Sequence, residues 1–333
     1  MAKGYNPIEY MYSSARIRAL ETKIASKDRM WHLADADGAE AVMAQLSDFG
    51  FETVRENGSV LREQTLESVL KAGYAEVASM ECADAVRFLR YQYDANNIKA
   101  IIKCASRGIS PDRMLLELGN VTIDDAKRAF EDKDYSVYPT NMAAAIPEAE
   151  EAFAATANPQ KIDFIIDRAC FTDIYSAADA SGIELARKLA TVKIDLVNIM
   201  ITLRIMRMNL GSTAEGVLSE AYIDGGSRRL DFYLEALASG EEGFAAELGK
   251  GDYESIAAAI LDGDSLSLIE KKADNLWMET AKGAKRITFG AEIAIGYIAA
   301  IEYEVKNVRI ILAGKDACLP PDTIKERLRE CYV

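Results

Sequence analysis

The chain has 333 residues, of which 50% are hydrophobic and 28% are charged, a composition typical of a folded protein with two or three domains. Its 53 Asp and Glu residues outnumber its 39 Lys and Arg residues, which gives a net charge of −14. Such a surface repels the phosphate backbone of nucleic acid and anionic lipid, so we expect no nucleic-acid partner.

The hydropathy pattern predicts neither a signal peptide nor a membrane span. No apolar run follows the first residues, and charged residues interrupt the two most apolar stretches, at 194–206 and 291–305. The five cysteines are odd in number and form no C-x-x-C pair. We therefore expect reduced thiols, as in a cytosolic protein.

Signals for helix starts recur along the chain. Thr122 and Asp125 form the pattern of a capping box, with Asp in place of the usual Glu. Prolines after Ser110, Asn158 and Leu319 stand at or near a first helical position and precede apolar residues spaced three and four apart. These signals predict helices after each position.

Signals for β-strands are nearly absent. The turn dipeptides Asn57-Gly58 and Gly225-Gly226 lack the two alternating apolar runs that flank a hairpin turn. We therefore predict an all-α fold.

One motif occurs three times: an acid, an Asn three residues later, a β-branched residue and an apolar run. Its copies are Asp94 with Asn97, Asp195 with Asn198, and Glu304 with Asn307. They recur about once per third of the chain, which predicts three related helical units at residues 1–110, 111–212 and 213–333. A glycine follows each copy, at Gly108, Gly211 and Gly314, where a helix end favours a left-handed residue.

The residues three and four positions after each Asn share its helix face and are mostly apolar, so each Asn is expected to point into a core. A buried amide costs about 1–3 kcal/mol unless it is hydrogen-bonded, so each Asn should bond a neighbouring helix or a loop carbonyl. We interpret the motif as a polar latch that fixes helix register. A ligand or metal role is disfavoured, because the copies lie in separate units without a metal-type cluster.

The residue patterns of common catalytic sites are missing. His32 is the only histidine, and no Ser, Cys or second His stands at a catalytic spacing from it. Neither glycine-rich phosphate motif, G-x-x-x-x-G-K-[ST] or G-x-G-x-x-G, is present. The acidic residues Glu148, Glu150 and Glu151 fit a solvated helix start. We expect no catalytic residue, cofactor or metal, and an enzyme with carboxylate chemistry is the least favoured alternative.

Segments at both ends of the chain and one in its middle carry a recognisable pattern. They are residues 10–21, 195–204, 289–297, 304–315 and 319–329. Together they resemble the C subunit of archaeal and bacterial V/A-type rotary ATPases, the counterpart of the d subunit of eukaryotic vacuolar ATPases. The resemblance spans nearly the full length. Relatives often have Pro where this chain has Ile293, directly after Glu292.

The resemblance implies a funnel of three similar helical domains with pseudo-threefold symmetry. In that family the funnel is a peripheral component on the cytoplasmic face of the membrane proteolipid ring. The foot of the central shaft, made by the D and F subunits, docks into it. The resemblance therefore implies a non-catalytic rotor component that transmits torque for proton or sodium transport, with no cofactor and no membrane span of its own. An acidic socket would steer a basic shaft foot during assembly.

A cytosolic helical-repeat adaptor that binds peptides or helices is the alternative function. An open solenoid needs many repeats of roughly 30–50 residues, whereas three long units can close on themselves. Repeat count and closure therefore distinguish the two functions.

Overall fold

A computed structural model describes residues 6–56 and 59–333, and helices dominate this part of the chain. The all-α prediction is confirmed. The first α-helices are α1 (Met11–Glu21), α2 (Lys27–Asp35), α3 (Gly38–Gln45), α4 (Arg62–Ala78), α5 (Arg87–Ala105), α6 (Ile123–Asp132), α7 (Thr140–Thr156) and α8 (Pro159–Ala180). They are followed by α9 (Glu184–Met208), α10 (Ala214–Ala221), α11 (Leu230–Leu248), α12 (Glu254–Leu261), α13 (Leu266–Ala281), α14 (Glu292–Asp316) and α15 (Pro321–Arg327).

One small β element was not expected. Strands β1 (Arg55–Glu56) and β2 (Ser59–Val60) pair antiparallel, with Arg55 opposite Val60. The Asn57-Gly58 dipeptide between them lies outside the described residues. A ladder of two residues per strand has no apolar face to bury, so the test for alternating apolar residues missed it.

Three of the four helix starts predicted from local signals are confirmed. Helix α6 begins after Thr122, α8 after Asn158, and α15 at Pro321. Thr122 Oγ1 accepts a hydrogen bond from the backbone N of Asp125 at 3.1 Å, as a capping residue does. The helix predicted after Ser110 is wrong, because residues 112–114 form a turn. The chain beyond that turn is bonded by side chains of α5, which holds it out of a helix.

The chain folds into two compact units, and unit 1 contains residues 1–86 and 267–333. Helix α14 is its centre, with α1, α3 and α4 packed against it. Residues 293–301 of α14 are all buried, as expected for a helix surrounded by other elements. A Cβ at Gly73 of α4 would lie 2.6 Å from Cδ1 of Ile301, so glycine permits the close contact between α4 and α14.

Unit 2 contains residues 87–266. Helix α8 packs against α5, α7 and α9, and α11 packs against α9 and α12. The Lys99 ammonium lies 2.6 Å from the Asp167 carboxylate in an ion pair between α5 and α8. Helix α11 kinks at Gly240, whose φ of 74° and ψ of −179° suit glycine alone.

The predicted division at residues 1–110, 111–212 and 213–333 stays a prediction. Two copies of the Asn motif, on α5 and α9, lie in unit 2, and the third, on α14, lies in unit 1. Among the helices of the described ranges, none is long and apolar enough to span a membrane.

Candidate functional site

Each motif Asn forms the same two hydrogen bonds with a single residue further along the chain. Its side-chain Nδ2 donates to the carbonyl O of that residue, and its Oδ1 accepts from the same residue's backbone N. The pairs are Asn97 with Leu116 (2.8 and 2.8 Å), Asn198 with Ile223 (2.7 and 3.0 Å), and Asn307 with Arg329 (3.1 and 2.8 Å). All three Asn are at most 2% exposed. The motif therefore binds backbone, and we call each such pair a latch.

Two of the motif acids hold the same loop as the neighbouring Asn. Asp94 accepts hydrogen bonds from the backbone N atoms of Asn120 and Val121, each at 3.0 Å. Asp195 accepts from the backbone N of Ser227 at 2.8 Å. These donors lie four or five residues beyond the residue that the Asn binds. The acid and the Asn therefore fix two points of one loop to one helix.

A glycine lies between those two points in both latches. Gly119 and Gly226 each stand three residues after the residue that the Asn binds. A Cβ would lie 2.0 Å from Oδ1 of Asp94 at Gly119, and 2.4 Å from Oδ1 of Asp195 at Gly226. Only glycine permits this approach of backbone to carboxylate. Neither glycine could be assigned to a latch from sequence, because Gly119 lies 22 residues after Asn97 whereas Gly226 lies 28 residues after Asn198.

The third latch departs from this pattern at its acid. Glu304 Oε1 accepts a hydrogen bond from the backbone N of Ala25, in the link between α1 and α2, at 2.8 Å. The extra methylene of Glu lets the carboxylate reach a different element. Burial raises the pKa of Glu304 to about 7, against the opposing effects of the Ala25 N–H and the positive charge of Arg29.

The latches have the chemistry of structural sites. Burial raises the pKa of Asp94, and its hydrogen bonds from Val121 and Asn120 oppose that rise, so its oxygens are engaged with backbone. Within residues 6–56 and 59–333, no group of three or more His, Cys, Asp or Glu is placed to hold a metal ion. His32 is exposed, and the five cysteines are free thiols. The arrangement can fix loops to helices.

Comparison with known families decides the assignment. The model of the ATP synthase (C/AC39) subunit family matches residues 13–327. The chain belongs to this family. The C/AC39 chain is therefore a structural component of V/A-type ATPases and not the catalytic one.

Curated relatives agree over nearly the whole C/AC39 chain. The C subunit of the A-type ATP synthase of Methanocaldococcus jannaschii is 25% identical, over 96% of this chain and 86% of the relative. The C subunit of the V-type sodium ATPase of Enterococcus hirae is 22% identical, over 98% of this chain and 99% of the relative. The corresponding A-type ATP synthase protein of Haloferax volcanii is 25% identical, over 98% of each.

In the C/AC39 chain the three Asn are buried and hydrogen-bonded, as the apolar residues beside them indicated. Their bonds do not stay within the predicted units, however. Leu116 and Ile223 lie beyond the predicted ends at 110 and 212, so the Asn97 and Asn198 latches cross those boundaries. Leu116 lies in the loop after α5, Ile223 follows α10 and Arg329 follows α15, so each latch holds a segment further along the chain than its own helix.

The glycines predicted to end the motif helices have different roles. Gly108 adopts a positive φ of 65° just beyond α5, as expected near a helix end. The left-handed residue that ends α9 is Asn209, with φ 51°, and Gly211, with φ 58°, begins the 3-10 helix Gly211–Thr213. The prediction is wrong for Gly314, which lies inside α14. A Cβ there would be 2.6 Å from Cγ1 of Ile324, so Gly314 permits close packing of α15. The positive φ near the end of α14 is at Cys318, with φ 53°.

Proposed function

We propose that this protein is the central-stalk component that links the rotating D–F shaft to the membrane proteolipid ring. In this role it transmits torque during proton or sodium transport and catalyses no reaction itself. The observation that carries the proposal is the family match over residues 13–327. Relatives named as the C subunits of A-type ATP synthases and of a V-type sodium ATPase support it over nearly their full lengths.

The latches suit a part that transmits torque. A loop held by backbone hydrogen bonds to a buried Asn cannot shift without breaking bonds in a low-dielectric interior. Packed helices have low compressibility, so a load applied to one element passes to its neighbours with little elastic delay. Three latches on α5, α9 and α14 therefore support a stiff coupling.

Unit 1 argues against an open helical-repeat adaptor. In an open solenoid each repeat contacts only its neighbours, so the first and last repeats stay apart. Here α1, α3 and α4, from the start of the sequence, pack on α14, from its end. This packing disfavours an open solenoid. The pseudo-threefold funnel of three related units is proposed from the resemblance alone. We further assign the protein to the cytoplasmic face of the membrane, as a peripheral component, on the basis of that resemblance.

The test is to remove this chain from the assembled complex. The catalytic head should continue to hydrolyse ATP, while ion pumping in reconstituted vesicles falls to background. Adding back the purified chain should restore pumping, which controls for damage during preparation. Full pumping without the chain would contradict the proposal, and failure of the chain to co-purify with the complex would favour the adaptor.

A further inference from the structure

A groove of about 690 Å³ opens on the surface of unit 1 beside Glu304. It lies between the α1–α2 link, the 3-10 helix Leu46–Phe49, α4 and α14. Half-buried or buried apolar side chains form part of its walls, and polar or charged side chains form the rest. The apolar side chains include Leu20, Phe49, Val69, Tyr297 and Ile301.

Glu304 is a carboxylate without an ionic partner in this groove. The residue is 7% exposed and lines the groove, and its Oε1 accepts one hydrogen bond from Ala25 N. No Lys or Arg in the described ranges forms an ion pair with it. Arg29 is engaged elsewhere, because it donates to the carbonyl O of Asp48 at 2.8 Å and lies 4.3 Å over the Phe49 ring. The groove thus offers a carboxylate that has one hydrogen bond and no ion pair, beside apolar side chains and beside the charged residues Lys23, Arg29, Asp48 and Glu76.

The chemistry of the groove selects its ligand. A divalent cation needs several oxygen ligands, and no metal-type cluster exists among the described residues, so a metal ion does not fit. A Lys or Arg side chain needs only one carboxylate to form a charge-assisted hydrogen bond. Apolar residues beside that cation would contact the walls and exclude water, which strengthens the pair.

We propose that this groove receives a protein segment that places one Lys or Arg side chain against Glu304 and its apolar neighbours against the groove walls. The segment belongs to the foot of the central shaft, an assignment that rests on the function proposed above. The strongly acidic composition of this chain favours a basic segment as the partner.

Binding at Glu304 is coupled to release of a proton. Because the pKa of Glu304 is raised to about 7, part of the free protein holds a protonated Glu304 at neutral pH. A cation binds the ionised form, so affinity should rise with pH. The other charged or titratable groups near Glu304 are Lys23, Arg29, Asp48, Glu76, Tyr297 and Cys331. Burial raises the pKa of Tyr297 to about 12 and that of Cys331 to about 11, so neither titrates near neutral pH.

The experiment measures the affinity of the full-length chain for the purified shaft subcomplex by calorimetry. The wild type should bind about tenfold more tightly at about pH 8 than at about pH 6, as expected for one group that ionises near pH 7. Glu304→Gln should abolish this pH dependence and bind about tenfold or more weakly at the higher pH. Asp316→Asn removes the same charge at the exposed end of α14, where Asp316 pairs with Arg62, and should keep the dependence.

A second variant guards against effects of Glu304→Gln on folding. Ala72 is exposed and lines the groove, so Ala72→Arg should fold normally, supply an internal cation and weaken shaft binding about tenfold or more. If Glu304→Gln and Ala72→Arg both bind the shaft with the affinity and pH profile of the wild type, the groove assignment is overturned. The proposed rotor function would be unaffected by that result. A wild-type chain that does not bind the shaft at any pH would overturn the rotor function, and with it the shaft as the occupant.

Discussion

Tyr253 donates its hydroxyl to Oδ2 of Asp195 at 2.6 Å, although the two residues belong to different helical segments. Tyr253 is 5% exposed, and Asp195 is fully buried. The other carboxylate oxygen, Oδ1, accepts from the backbone N of Ser227. Asp195 therefore links the start of α12 to the loop that its own latch holds.

Tyr253→Phe should destabilise the protein because it removes the donor to a buried carboxylate oxygen. We expect a loss of about 1–3 kcal/mol in the free energy of unfolding, measured by urea denaturation. Tyr12→Phe is the matched control, since Tyr12 is 63% exposed, and it should change stability by less than about 0.5 kcal/mol. Equal effects of the two substitutions would show that the Tyr253 hydroxyl contributes nothing specific.

Asn198→Leu should reduce stability by about 2–4 kcal/mol, because both backbone groups of Ile223 lose a buried partner. The measurement is again the free energy of unfolding. Assembly with the partner subunits, tested at a temperature where the variant is folded, should be retained. Unchanged stability together with lost assembly would instead make the motif an interface.

Gly119→Ala and Gly226→Ala should each destabilise the protein by about 1–3 kcal/mol, because the new Cβ would collide with a motif carboxylate. Gly216→Ala provides the comparison. A Cβ there meets nothing within 4 Å on the exposed side of α10, so it should be neutral or stabilise the helix by up to about 1 kcal/mol. Differential scanning calorimetry of the three variants would measure the contrast, and equal melting temperatures would contradict it.

Glu304→Gln should make stability less dependent on pH. The pKa of Glu304 is raised from 4.5 to about 7, so the folded state binds more protons than the unfolded state between these values. Its contribution to stability is complete below about pH 4.5 and is lost as pH rises through about 7. From about pH 5 to about pH 8, the free energy of unfolding of the wild type should therefore fall by up to about 3 kcal/mol relative to that of the variant. Parallel pH profiles of unfolding free energy would contradict this.

The positions of the three Asn follow from sequence, because the apolar residues three and four places later reveal a core-facing side. Their partners do not. Leu116 and Ile223 are aliphatic whereas Arg329 is charged, and each Asn binds only the N–H and C=O that every such residue carries. A local sequence pattern therefore cannot predict which backbone groups these Asn side chains bind.

The failed helix start after Ser110 has a related cause. A proline near a first helical position is a genuine local preference, but Asn97 and Arg90 of α5 bond the backbone at Leu116 and Leu118. Tertiary hydrogen bonds therefore override the local signal. The groove at Glu304 could not be predicted from sequence either, since it depends on a contact between Ala25 and Glu304, which lie far apart in the chain.

The discontinuous make-up of unit 1 sets an order for folding during synthesis. Residues 87–266 are contiguous, so unit 2 has all of its helices once that segment has left the ribosome. Helices α1 to α4 emerge earlier but lack α14, the helix at the centre of their core. The apolar surface that these helices bury against α14 stays exposed until residues 267–333 have been synthesised. The chain therefore matures from its middle, and the segment made first is completed last.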